Sequence, residues 1–245
     1  MDDRLEQPEL DDLWDFDDPV GSAARFERAA GEHQSEIVRA ELETQRARAL
    51  GLQRRFAEAD ALLDLLEPAL GRLAVRILLE RGRLRNTAGS TEDAIELFEE
   101  ALVAARREGE TFLAVDAAHM LAIADRPHAE QWTDEAFAEL RNTSDERTLR
   151  WAVTLHTNLG WKHFEESDPA AALREFEAAL EAAVDHGTED QRFVAEWTIA
   201  RCLRELGRDE QALVIQRRLA DERPDDEFVA GELAALTERT PTIEP

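Results

Sequence analysis

Residues 158 to 180, NLGWKHFEESDPAAALREFEAAL, bring Trp161, Lys162, His163 and Phe164 into one run, with His156 seven residues before His163. Seven residues on a helix differ by only about 20° in direction, so the two histidines share a face. They also lie two turns apart, roughly 10 Å, which is too far for one ion to bridge; helical ligand pairs sit at i and i+4. Packing therefore explains these histidines better than metal binding, and His119 beside Met120 reads the same way. Nucleophilic chemistry has no framework either: there is no G-x-S-x-G and no glycine-rich loop after a strand, and the lone Cys202 reads as a small buried hydrophobe. Acidic pairs such as Glu165–Glu166 and Asp225–Asp226 are what 55 acidic residues produce on solvated helix faces. No enzyme activity, metal or cofactor is expected.

The 55 acidic and 29 basic side chains leave a formal charge of -26, which repels nucleic-acid backbones and anionic membrane surfaces. Lys162 is the one lysine and tyrosine is absent, a pattern of GC-rich genomes or of life in a salty cytoplasm. The opening MDDRLEQPELDD lacks the basic and apolar segments of a leader, and no run approaches the roughly 18 apolar residues of a spanning helix. With 43% apolar residues and one cysteine, the chain is expected to be globular, soluble and cytoplasmic.

The elements that must position these side chains are helices. Apolar residues recur three and four apart, as in Ala59, Leu62, Leu63 and Leu66, while period-two alternation is scarce. Cap signals fall between them: Ser90 before Asp93, Thr143 before Glu146, Thr188 before Gln191, and Asp168–Pro169. Gly109 and Gly187 stand where left-handed helix ends are expected. A small residue recurs twelve positions after another small residue: Ala47 and Ala59, Gly82 and Ala94, Ala117 and Ala129, Gly160 and Ala172, Ala200 and Ala212. Sixteen positions after each first member stand Leu63, Phe98, Thr133, Phe176 and Gln216; nineteen after stand Leu66, Ala101, Ala136, Ala179 and Leu219. Small residues let two antiparallel helices cross closely, and the larger ones fill the gap a turn later.

This pattern resembles the tetratricopeptide repeat, best in NLGWKHFEESDPAAALREFEAAL and again in ARCLRELGRDEQALVIQRRLADERP, with Pro224 where that family often closes a repeat. The resemblance spans about residues 34 to 224 and is to degenerate bacterial members without a catalytic domain. It implies an all-α, right-handed superhelical solenoid of antiparallel helix pairs over residues 19–238. Its repeats are anchored near 47, 82, 117, 160 and 200, with a capping helix at 225–238. Residues 1–18 read as an acidic arm whose Leu13, Trp14 and Phe16 bind a partner or, as the simpler expectation, dock back onto the solenoid, and 239–245 as a tail.

In the family's register the residue after each first crossing position faces a concave binding groove. Here those residues are Arg48, Arg83, Ala118, Trp161 and Arg201, with Arg76, Arg204, Asn158 and Phe164 beside them. Glu41, Glu80, Glu165 and Glu205 share the region and are candidates to pair with the arginines. The carboxylate clamp of chaperone-binding members does not carry over, since only Asn158 matches one of its asparagines. Guanidinium forks beside aromatic planes suit a carboxylate or an acidic peptide. The expected function is a non-catalytic scaffold or adaptor that holds a protein or peptide, without nucleic acid or membrane. The alternatives are a self-assembling homo-oligomer and a sensor of a small anion.

Overall fold

Small residues at helix crossings dictate how the chain packs. In the computed structural model Leu5 and residues 7–239 are described; the tail from 240 and arm residues 1–4 and 6 lie outside the described residues. All regular structure among the described residues is helical. Two compact units form, residues 1–141 and 142–245.

In the first unit, α1 (Gln7–Leu13) and α2 (Pro19–Glu32) precede three helix pairs. These are α3 (Glu36–Leu52) with α4 (Phe56–Asp64), α5 (Gly71–Ala88) with α6 (Thr91–Glu108), and α7 (Thr111–Ala124) with α8 (Ala129–Leu140). The first helices α3, α5 and α7 pack side by side as one layer. In the second unit the short α9 (Glu146–Leu149) leads into α10 (Trp151–Glu165) with α11 (Pro169–His186), and α12 (Glu189–Glu205) with α13 (Asp209–Glu222). There α14 (Glu227–Arg239) packs against α12 and α13 through buried Val229 and Leu236.

The five small crossing residues of the first helices are all buried. Phe98 and Phe176 are fully buried against Gly82 and Gly160. A Cβ at Gly160 would lie 2.5 Å from Phe176 Cε1, and one at Gly82 would strike the Phe98 ring. These glycines are therefore required by close approach, because a packed interior leaves no room for another carbon. Where the repeat substitutes a polar residue the seam adapts: Thr133 Oγ1 donates to the Ala129 carbonyl at 2.8 Å. Buried Gln216, by contrast, finds no hydrogen-bond partner for its amide among the described residues.

The caps divide into expected and corrected ones. Thr188 and Gln191 form a reciprocal box at 3.2 and 3.0 Å, and Asp168 accepts from the Ala171 amide at 2.9 Å. Gly109 is left-handed at φ 72°, but Gly187, which caps α11 after His186, is extended at φ -84°, so the chain leaves that helix in an extended direction. Thr143 does not cap a helix; Asp145 does, accepting from the Thr148 amide at 2.7 Å, while Thr143 Oγ1 supports Asp145 itself. Ser90 precedes α6 without a side-chain cap bond. Among the described residues no helix is long and apolar enough to cross a membrane.

Candidate functional site

In the first unit, residues three, four and seven apart on α3 and α5 project toward α7 and meet there. Arg83 donates from Nη1 to Glu80 Oε1 at 2.7 Å and from Nη2 to Asp116 Oδ1 at 2.5 Å. Arg76 lies 3.6 Å from Glu41, and Arg72 lies 3.7 Å from both Glu41 and Glu110. Burial works against the charge of Arg83, but Asp116 and Glu80 outweigh it and hold its pKa above the ordinary value. Arg76 has weaker support, so burial pulls it down to about 10 despite Glu41. Asp116 would be raised by burial, yet the guanidinium groups of Arg83 and Arg48 lower it. His119 beside them is pushed down to about 4, first by burial and then by Arg83 and Arg48, with Asp116 opposing. The expected glutamate pairing of these arginines is present, and Asp116 and Glu110 add to it.

Arg48 differs. Its guanidinium lies 5.5 Å from the Trp14 ring centroid and 5.4 Å from that of Phe16, and it has no carboxylate partner among the described residues. Those rings belong to the N-terminal arm and stack on each other at 4.6 Å with planes 2° apart. Trp14 Nε1 donates to Gln45 Oε1 at 3.1 Å, and Arg25 Nε donates to the Leu13 carbonyl at 2.9 Å, so the arm folds back within its own unit. Burial lowers the Arg48 pKa, and nearby Arg83 lowers it further.

In the second unit, α10 and α12 assemble an aromatic surface around Arg201. Its guanidinium lies 5.5 Å from Trp161, 5.5 Å from Phe164 and 5.4 Å from Trp197. Trp161 is fixed from behind by buried Phe176, edge-on at 5.2 Å, and Phe164 meets it edge-on at 5.5 Å. On the other side Trp197 meets Phe228 of α14 at 6.0 Å, and Phe228 is 74% exposed. Arg201 has no carboxylate partner among the described residues, and its buried Nε has no hydrogen-bond acceptor there; Trp197 Nε1 is likewise unmatched. Asn158 is exposed on α10 one turn before Trp161.

Arg204, grouped with the binding residues from sequence, is engaged elsewhere. It forks onto Glu232 of α14 at 2.7 and 3.1 Å and so ties the last helix to α12. Ala118 is fully buried and presents no side chain to a ligand. His156 faces Glu175 at 2.9 Å, whereas His163 approaches Glu166, so the two histidines have different carboxylate neighbours. Sequence reasoning missed Trp197 and Phe228; the signal for Trp197 was its position one turn before Arg201 on the same helix.

No protein-family model matches the sequence, and no curated protein matches it. Solved structures are similar in fold. The apo form of RapI has a TM-score of 0.68 at 12% identity, covering 95% of this chain and 68% of its own. The apo form of the quorum sensor NprR from B. thuringiensis has a TM-score of 0.61 at 14% identity, covering 94% and 67%. Kinesin light chain TPR-like repeats from Podosopora anserina have a TM-score of 0.55 at 16% identity, covering 85% and 100%. Together with the small-residue crossings, these likenesses establish that this chain is, in fold, a helical repeat protein of the tetratricopeptide type.

Proposed function

We propose that the protein is a non-catalytic binding module that holds a peptide or a partner's helix against α10 and α12, anchored by Arg201 and Trp161 with Asn158 and Phe164 beside them. The observation that carries this reading is the state of Arg201, ringed by three aromatic side chains and without a carboxylate partner among the described residues. Rings beside a guanidinium favour its charge and displace water, so the N–H edge is left as the group that needs an acceptor. Arg83 and Arg76 already have carboxylates and act in stability. Arg48 is covered by the arm. NprR, whose apo form shares this fold, has been solved with its cognate peptide NprX. That likeness concerns the fold, and the aromatic and guanidinium chemistry supports the function.

The test is retention of peptides from a displayed 12-residue library of varied net charge by the full chain, by Trp161→Ala and by Arg201→Gln, with helicity followed by circular dichroism. Peptides retained by the wild type and lost by both variants at unchanged helicity are expected. Equal retention by all three proteins contradicts the reading.

A further inference from the structure

The chain carries three arginines in one repeat position, of which Arg83, after Gly82, is held by Glu80 and Asp116. Arg48 follows the crossing residue Ala47, and Arg201 follows Ala200. Both guanidinium groups lie 5.4 to 5.5 Å from aromatic centroids, and neither has a carboxylate partner among the described residues. They differ in where the rings come from. At Arg201 the protein's own helices α10 and α12 supply them. At Arg48 they arrive on a peptide-like segment, Trp14-Asp15-Phe16-Asp17-Asp18, which lies outside the helix pairs.

That segment shows what chemistry an arginine at this position accepts. Two aromatic residues one apart bring both rings together over one guanidinium, and Phe16 stays there although 58% exposed. We infer that the Arg201 surface takes an acidic peptide segment with two aromatic residues one residue apart, the chemistry of residues 14–18; the inference rests on the function proposed above. A carboxylate meets the Nη groups of Arg201, which is half-buried and has no carboxylate partner among the described residues, in a charge-assisted hydrogen bond. The aromatic side chains have the Trp197 and Phe228 surfaces to pack on edge-to-face, as those two rings already do with each other. A basic segment would be drawn to the acidic protein as a whole but repelled by Arg201 at contact, so selection for acid is local.

The probe is a fluorescent peptide with the sequence of residues 8–18, PELDDLWDFDD, titrated with the full chain near 0.15 M salt and followed by anisotropy. Saturable binding is expected, weakened about tenfold or more by Arg201→Gln, the typical effect of losing a charge-assisted bond. Arg201 has no carboxylate partner within the described residues, so its replacement strands no buried charge. Arg48→Gln should bind like the wild type, and a peptide with alanine at both aromatic positions should not saturate. Self-association lost on both Arg201→Gln and Trp14→Ala/Phe16→Ala would also support the inference, with the arm of a second copy as the source of the segment. Binding unchanged by Arg201→Gln, or equal for the alanine peptide, overturns it. If this peptide fails while library peptides still bind in a Trp161-dependent way, the ligand class falls and the site stands; if no peptide binds, both fall.

Discussion

His119 shows how charge is handled at the residue scale. Its neighbours Arg83 and Arg48 reinforce the effect of burial, and its pKa falls to about 4 from 6.5. The folded value lies below the unfolded one, so the unfolded chain takes up the proton first. Stability from the neutral imidazole is therefore complete above pH 6.5 and is lost as pH falls toward 4. Between pH 7.5 and 5.5 the loss should be about 1 kcal/mol. Urea unfolding at the two pH values should show that His119→Gln reduces the acid sensitivity by this amount; an unchanged difference would show that His119 is not protonated on unfolding. The repeat register was legible from spacing, and the family resemblance then implied that Arg48, Arg83, Ala118, Trp161 and Arg201 face a groove, of which Ala118 is buried. Which arginine stays without a carboxylate was not legible, because that depends on carboxylates brought from 33 residues away for Arg83 and 28 for Arg204.

Helix seams were the most legible elements, since only glycine or alanine fits where backbones cross. Glycine to alanine in a helix interior ordinarily stabilises by about 0.5–1 kcal/mol. Gly231 in α14 has open space where a Cβ would go, so Gly231→Ala should show that gain. At Gly160 the new carbon meets Phe176, and Gly160→Ala should instead cost about 1–3 kcal/mol. Thermal or urea unfolding gives both signs, and Phe176→Leu should recover part of the Gly160→Ala loss in a double-mutant cycle. Two stabilising changes, or two neutral ones, would contradict the packing described. Helix ends were less legible. The spacing of Thr143 and Glu146 pointed to Thr143, whereas Asp145 is the cap, because the choice follows from where α9 begins, which local spacing does not fix.

At the scale of the whole molecule, the -26 formal charge and the proposed acidic ligand act against each other at long range. At 0.15 M salt such repulsion is screened beyond about 8 Å, whereas contact pairing in a ring-lined setting is screened far less. The sequence could not show that the arm covers Arg48, since that contact joins residues 14 and 16 to residue 48 through tertiary packing. Two kinds of arginine are therefore separated: those that carboxylates neutralise, such as Arg76, Arg83 and Arg204, and those that aromatic rings surround, Arg48 under the arm and Arg201, the proposed ligand anchor. The direct measurement is the affinity of one peptide, the tightest library binder, for wild type, Arg201→Gln and Arg83→Gln at 0.15 M salt. The account predicts about tenfold or greater weakening by Arg201→Gln. It also predicts unchanged affinity for Arg83→Gln, which should lose stability instead because Asp116 is left buried without its partner. Equal affinities for all three, or weakening by Arg83→Gln alone, would contradict it.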